Sequence, residues 1–155
     1  AKKVPNYFKM LKTLGMFKQI FPGLSVGVDF HTTNDYIIQI ANLLKLNSPG
    51  VIKGKLNSLK YKNKESIDIW LLIKMLKEQT WCINNLPDLK KLLLNSTISD
   101  KQAKLWSKIN SDKTIWKLHN WSLSVSPKDA IAQGLKGKDI GDYVKNKEKE
   151  LFTSS

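Results

Sequence analysis

Apolar residues recur at intervals of three and four along most of the chain, which is the periodicity of an α-helix with one buried side. The stretch 64–79 is apolar on most of its circumference. We therefore expect the longest helix of the chain there, with Asn63 as its N-cap, in a central and buried position. Further helices are predicted at residues 8–20, 34–46, 49–59, 88–95, 99–109 and 112–121.

Residues 24–31 alternate apolar and polar side chains through Val26, Val28 and Phe30, a pattern typical of a strand. No second stretch of this kind exists to pair with it, so we interpret the segment as a loop. The helical stretches are short and closely joined, and no low-complexity linker divides them. We predict an all-α fold, an irregular array of about eight or nine short helices.

Residues 126–144 predict a helix, a glycine turn and a second helix. Ser126 and Asp129 have the spacing of a capping box, and Pro127 suits the first helical position. Gly134 is placed to end the first helix in a left-handed conformation, and the second helix begins near Gly137 with its backbone N–H groups exposed. A helix start of this kind is suited to holding a phosphate.

The same residues carry a family resemblance. A short helix ending in glycine, followed by the helix start Gly137-x-x-Ile140-Gly141, is similar to the C-terminal signature of bacterial-type tRNA nucleotidyltransferases and poly(A) polymerases, the class II CCA-adding family. The resemblance extends upstream in the family's order, over roughly residues 7–152. Its upstream pieces are a helix with a glycine and proline stop at 8–22, and the stretches 37–44 and 56–75.

This resemblance implies an all-helical body and tail that grip the acceptor and TΨC arms of tRNA. It divides the chain into the end of a neck-like helix (residues 1–22), a helical body (23–121) and a small helix-turn-helix tail (122–155). The family's catalytic head uses an Asp-x-Asp pair to hold two metal ions, and its neck reads the incoming base with an arginine. This chain has neither an Asp-x-Asp pair nor any arginine. We therefore expect no catalytic residues and no cofactor in it, with Mg²⁺ needed only if a catalytic head is supplied elsewhere.

The chain carries a formal net charge of +13, from 26 basic residues, all lysine, against 13 carboxylates. Such an excess favours polyanions, and RNA is the expected partner. Lysine binds phosphate as a point charge, so we expect recognition of backbone and shape more than of bases. The frequent Lys, Asn and Ile are typical of an A/T-rich genome, which explains lysine in place of arginine but not the excess of cations.

Two groups of lysines are the candidate RNA contacts. The tail group consists of Lys128, Lys136, Lys138, Lys145 and Lys147, together with the backbone N–H groups near Gly137 and Lys138. The body group consists of Lys53, Lys55, Lys60, Lys62 and Lys64. We expect both groups to follow the backbone of one RNA duplex. For any single lysine, the alternative is a solvated surface charge.

Five tryptophans raise the question of base stacking. Trp70, Trp106 and Trp116 fall on the apolar sides of their predicted helices, so we interpret them as core residues. Trp81 and Trp121 lie at helix ends, where partial exposure leaves stacking open.

Cys82 is the only cysteine, and His31 and His119 have no second ligand at metal-binding spacing, so we expect neither a disulfide nor a metal site. A single cysteine favours a reducing compartment, the cytoplasm. The first residues resemble a processed end, which leaves a mitochondrial location open. No apolar run reaches about 18 residues, so no membrane partner is expected.

Other functions fit parts of the pattern. The turn 134–141 is compatible with a helix-hairpin-helix, a sequence-independent phosphate binder of DNA repair proteins. The chain as a whole is also compatible with a basic helical scaffold, or a ribonucleoprotein subunit, that binds rRNA or an acidic protein. On the first hypothesis, its partners are tRNA or another structured RNA and a separate catalytic head chain or larger particle.

Overall fold

The computed structural model describes residues 35–58 and 63–155, and within these ranges it contains nine α-helices and no strand. In chain order they are α1 (Tyr36–Leu44), α2 (Pro49–Ser58), α3 (Asn63–Lys77), α4 (Gln79–Asn84), α5 (Leu86–Leu94), α6 (Asp100–Ile109), α7 (Lys113–Asn120), α8 (Pro127–Ala132) and α9 (Lys138–Ser154). The predicted all-α fold of short helices is confirmed. The predicted helix at 8–20 and the predicted loop at 24–31 lie outside the described residues. Among those described, no helix is both long and apolar enough to cross a lipid bilayer.

Helix α3 forms the centre of the body, because α1, α2, α4 and α7 all pack against it. Its side chains Ile69, Leu71, Leu72, Ile73 and Met75 are fully shielded from solvent. The prediction of a central, buried helix is therefore confirmed. Two details of that prediction were wrong: Asn63 is the first residue of the helix and not its cap, and α9 is longer, with 17 residues against 15.

Helix α3 ends before Glu78, and α4 begins after it, whereas the sequence predicts one helix that continues to Gln79. Glu78 leaves the helical region, with φ −118° and ψ 45°, and α4 was not predicted. Lys74 Nζ lies 2.8 Å from the Glu78 carboxylate. Neither proline nor glycine marks this break, and apolar residues continue beyond it, so the hydrophobic pattern gave no signal for it.

Trp106 joins α6 to the central helix. Its ring is buried, and Nε1 donates a hydrogen bond to the carbonyl oxygen of Leu72 at 2.8 Å. Its predicted place in the core is confirmed. Trp70 and Trp116 pack against the core but stay half-buried, so the prediction for them holds only in part.

Capping residues set the helix starts largely as the sequence indicates. Ser99 and Gln102 form the predicted capping box of α6, with Ser99 N–H donating to Gln102 Oε1 at 3.0 Å. Gln102 Nε2 also donates to Asp35 Oδ2 at 3.1 Å, and Asp35 caps α1. The caps of α1 and α6 are thereby joined, which fixes the position of one helix start relative to the other.

The C-terminal helix α9 packs on α4, α5 and α8. Its Glu148 is fully buried and accepts hydrogen bonds from Trp121 Nε1 at 3.0 Å and from the backbone N–H groups of Ser124 and Val125, both at 2.6 Å. One turn later, Phe152 meets the ring of Trp121 edge-on, with centroids 5.1 Å apart. A single carboxylate thus binds the segment between α7 and α8 to α9. The division of the chain at residue 122 stays a prediction.

The Glu148 contacts can be tested by substitution. Glu148→Ala removes a buried acceptor and leaves three partly buried hydrogen bonds unmade, so we expect the free energy of unfolding to fall by about 2 kcal/mol. Glu150→Ala is the matched control, because Glu150 is exposed on the same helix, and it should change stability by less than about 0.5 kcal/mol. Urea unfolding measures both variants. Equal stabilities would contradict the role given to Glu148.

The thiol of Cys82 gives a pH test. Burial raises the pKa of this thiol from 9.0 to about 12, so the folded state keeps a proton that the unfolded state loses. Stability from Cys82 is therefore complete below pH 9 and is lost as the pH rises towards 12. In urea unfolding, the wild type should lose stability above pH 9 more steeply than Cys82→Ala, by up to about 1.4 kcal/mol per pH unit. Parallel pH profiles would show that the thiol is not shielded.

Candidate nucleic-acid interface

The most one-sided charge in the sequence lies around α2. Between Asp35 and Glu65 there is no carboxylate, and the stretch carries six lysines: Lys45, Lys53, Lys55, Lys60, Lys62 and Lys64. Pro49, Ile52 and Leu56 turn inward and hold α2 against α3. Lys53 and Lys55 are exposed, so the apolar stripe of α2 leaves its lysines on the outside. Lys64, at the start of α3, is exposed as well. Lys60 and Lys62 lie outside the described residues.

Lysine ammonium groups cover two half-buried tryptophans, and one of these lysines, Lys53, lies on α2. Lys53 Nζ lies 4.6 Å from the centroid of the Trp70 ring, and Lys74 Nζ lies 5.4 Å from Trp70 and 4.1 Å from Trp81. A cation at this distance is attracted to the face of an indole. Stacking of a base on Trp81, which the sequence leaves open, would therefore compete with Lys74.

Two glycines stand on the outer side of α2. A Cβ atom built on Gly50 or Gly54 meets nothing within 4 Å, so packing does not require glycine at either position. Glycine within a helix costs about 0.5–1 kcal/mol relative to alanine. Glycine at these two positions of α2 thus lowers the stability of the helix without a gain in packing.

The tail turn has the backbone shape that the sequence predicts. Helix α8 ends with Leu135 N–H bonded to Ala130 O and Gly134 N–H bonded to Ile131 O, a Schellman motif in which Gly134 has φ +82°. Gly137 has φ +59° and stands at the start of α9. Ser126 N–H donates to Asp129 Oδ2 at 2.9 Å, so that half of the predicted capping box is present.

The charge of the tail turn is balanced. Lys128, Lys136 and Lys138 are exposed, and none of them forms an ion pair with another described residue. The same segment, however, carries three aspartates: Asp129, Asp139 and Asp142. Asp139 lies in the first turn of α9, where its carboxylate and an incoming phosphate would occupy the same positive end of the helix. The turn therefore has the shape of an anion site without an excess of positive charge.

The remaining tail lysines are engaged within the protein. Lys145 Nζ lies 3.1 Å from Asp88 Oδ2 and 3.1 Å from Asn85 Oδ1, which joins α9 to the start of α5. Lys147 Nζ lies 3.3 Å from Glu150 on the exposed side of α9. Lys145 thus contributes to the packing of α9, which makes it a weaker candidate for an RNA contact than its neighbours in the tail group.

A groove of about 560 Å³ between α6 and α7 was not predicted. Lys104, Lys108 and Lys113 line it together with the half-buried ring of Trp116. The sequence does contain a signal for it, because Lys104 and Lys108 are one helical turn apart and Lys113 and Trp116 are three residues apart. The spacing indicates a groove only when the angle between the two helices is known, and the sequence does not give that angle.

A second groove of similar volume lies between α5 and the segment after α7. Its lysine, Lys90, donates to the carbonyl oxygen of His119 at 2.7 Å and caps the end of α7, and burial lowers the pKa of its ammonium group. Leu94 and Leu123 line the same groove and are 84% and 43% exposed. Because Lys90 is used in the fold, this groove offers less charge to a polyanion than the one between α6 and α7.

Both nitrogens of the His119 imidazole lie close to oxygen atoms of the protein. Its Nε2 lies 3.3 Å from the carbonyl oxygen of Ile98, and its Nδ1 lies 3.3 Å from Asp100 Oδ1. In the described parts of the chain, no three His, Cys, Asp or Glu side chains converge as a metal site would require. The absence of a cofactor stays a prediction.

Comparison of the chain with protein-family models, with curated proteins and with solved structures gave no match. A function must therefore be inferred from the geometry and charge of the described residues.

Alanine substitutions at Gly54 and Gly134 should change the stability of the fold in opposite directions. Gly54→Ala adds a methyl group in open space on a helix, so the free energy of unfolding should rise by about 0.5–1 kcal/mol. Gly134→Ala forces a side chain into the left-handed region, so it should lower stability by about 1 kcal/mol. Thermal unfolding compares the two variants. A loss of stability in Gly54→Ala would mean that the outer side of α2 is packed against something.

Proposed function

We propose that this chain binds structured RNA through the phosphate backbone, with the outer side of α2 and the start of α3 as the main contact. The observation that carries the proposal is the sequence between Asp35 and Glu65, which contains six lysines and no carboxylate. Lys53, Lys55 and Lys64 are exposed there, and Asp35 is engaged with the start of α1 and with Gln102. A phosphate approaching α2 meets lysine without a compensating acid nearby in sequence.

The chemistry favours backbone contact over base reading. Lysine presents a compact ammonium group that suits a phosphate oxygen from many directions, whereas bidentate recognition of a base edge needs arginine. The ring of Trp70, next to Lys53 of α2, is covered by the ammonium groups of Lys53 and Lys74, so stacking is a minor contribution on this side. The tail turn, with Lys128, Lys136 and Lys138, is a second proposed contact.

The finer form of the proposal is tRNA-type RNA. It is supported by the likeness of the sequence to the body and tail of the CCA-adding and poly(A) polymerase family. Because the chain has no Asp-x-Asp pair, on this hypothesis it binds tRNA but does not add nucleotides, and a catalytic head, with Mg²⁺, would come from elsewhere. A reducing compartment, cytoplasmic or mitochondrial, belongs to the same proposal.

A double substitution tests the main contact. Lys53→Gln with Lys55→Gln removes two charges from α2, so affinity for a tRNA minihelix should fall roughly tenfold at low salt. The slope of log affinity against log salt should fall by about two. Lys91→Gln with Lys149→Gln is the control, because it removes the same charge from exposed positions on α5 and α9. Fluorescence anisotropy over a salt series measures both.

The pattern of losses separates the alternatives. An equal loss in the control pair would mean that net charge acts alone and that α2 is no specific contact. Lys136→Gln with Lys138→Gln reports on the tail turn in the same way. No preference for the minihelix over a random duplex would contradict the tRNA form, and no salt-dependent RNA binding at all would leave the basic scaffold for an acidic protein as the better hypothesis.

A further inference from the structure

The groove between α6 and α7 is a second candidate binding surface, and it differs in character from the outer side of α2. Lys104 and Lys108 lie one turn apart on α6, and Lys113 begins α7. All three side chains are exposed, and the ring of Trp116 lies in the same groove. The aliphatic stems of lysines can cover an apolar ligand while their ammonium groups reach outward. Charge and an aromatic surface therefore meet in one concavity.

The polar groups of the groove floor are already bonded within the protein. Asp112 receives Thr114 N–H on Oδ1 at 2.9 Å and Gln79 Nε2 on Oδ2 at 2.5 Å. Ser107 Oγ donates to the carbonyl oxygen of Asp112 at 2.5 Å. Both oxygens of the one carboxylate that lines the groove are thus occupied. The three lysines of the same lining outnumber this one negative charge.

Trp116 differs from the other tryptophans in what it contacts. Trp70 and Trp81 carry lysine ammonium groups, whereas Trp106 and Trp121 donate their indole N–H to acceptors in the fold. Trp116 has neither kind of partner among the described residues. Its ring lies near the imidazole of His119, with 17° between the planes and 6.3 Å between the centroids. The imidazole helps to fix the plane of a ring that is half open to the groove.

Ser111, at the mouth of this groove, has an unusual backbone. Helix α6 ends in a Schellman motif, with Asp112 N–H bonded to Ser107 O and Ser111 N–H bonded to Lys108 O. The left-handed position of that motif is Ser111, with φ +51°, whereas the same position after α8 is Gly134. A serine there is strained relative to glycine. In return, it places an exposed hydroxyl group in the groove lining.

We propose that the α6–α7 groove binds an unpaired nucleotide of single-stranded RNA. Its base stacks on Trp116, and the adjoining phosphates contact Lys104, Lys108 and Lys113. Base–aromatic stacking next to a positively charged groove is the usual means of holding single strands. The inference goes beyond the proposed function, because it gives the protein a single-strand site in addition to a surface for the backbone of structured RNA.

Substitution of Trp116 tests the stacking. Trp116→Leu keeps an apolar side chain but removes the aromatic face, so affinity for a short oligouridylate should fall roughly tenfold or more, while affinity for a blunt RNA duplex changes by less than about twofold. Trp116→Phe should retain most of the single-strand affinity. Thermal unfolding of both variants shows whether the fold is kept. Unchanged oligouridylate binding by a folded Trp116→Leu would overturn the inference.

The lysines and the position of the base are tested separately. Lys104→Gln with Lys108→Gln should lower single-strand affinity and reduce the salt slope by about 1.4, using a single-strand slope of about 0.7 per phosphate. The pair Lys91→Gln and Lys149→Gln again controls for net charge. In the unmodified protein, photocrosslinking of an oligonucleotide that carries 5-iodouridine should label Trp116. Labelling that is confined to α2 or to the tail turn would contradict the groove.

The two proposals fail in different ways. If the α2 variant loses duplex binding while Trp116→Leu binds oligouridylate normally, the groove inference fails and the proposed function stands. If oligouridylate binding depends on Trp116 while duplex binding is absent or insensitive to Lys53 and Lys55, the groove stands and the proposed function fails. If neither RNA binds, both fail.

Discussion

Helix α3 imposes the constraint on which the rest of the described structure depends. A helix that is apolar on most of its circumference can be stable in water only when other helices cover it on several sides. Helices α1, α2, α4 and α7 do so, and Trp106 of α6 reaches its backbone carbonyl at Leu72. Helix α2 needs only one apolar stripe for this contact. Lys53 and Lys55 therefore lie on its outer side, and the charged surface of α2 is a consequence of the way the core is covered.

The lysines are of two kinds, those bonded within the fold and those open to a ligand, and the net charge counts both alike. Lys117 donates to the carbonyl oxygen of Phe152 at 2.5 Å and caps the end of α9, Lys90 caps the end of α7, and Lys145 joins α9 to α5. Cations in these places interact favourably with the negative ends of helices or with single carboxylates. The formal charge of +13 includes them, so it overstates the charge that remains available to a polyanion.

The sequence predicts the helices far better than it predicts the sites. The capping box at Ser99 and the left-handed Gly134 are local features, because their hydrogen bonds join residues only a few positions apart. The break at Glu78 has no local signal and depends on how α4 packs. Likewise, the pairing of Lys145 with Asp88 and the groove at Trp116 join helices that are distant in sequence or set at an unknown angle. Side-chain partners of this kind follow from tertiary packing, which periodicity does not encode.

Shape and charge are distributed differently among the three candidate contacts, and this difference decides how each can act. At physiological salt, charges are screened over about 8 Å, so a phosphate responds mainly to the groups in its own neighbourhood. At the tail turn those groups include Asp129, Asp139 and Asp142, which offset its three lysines despite a backbone suited to an anion. Helix α2 has the charge but a convex surface, which suits the backbone of a duplex. The α6–α7 groove combines lysines, a concave shape and an open indole, and such a combination discriminates a flexible, unpaired nucleotide from a stacked one.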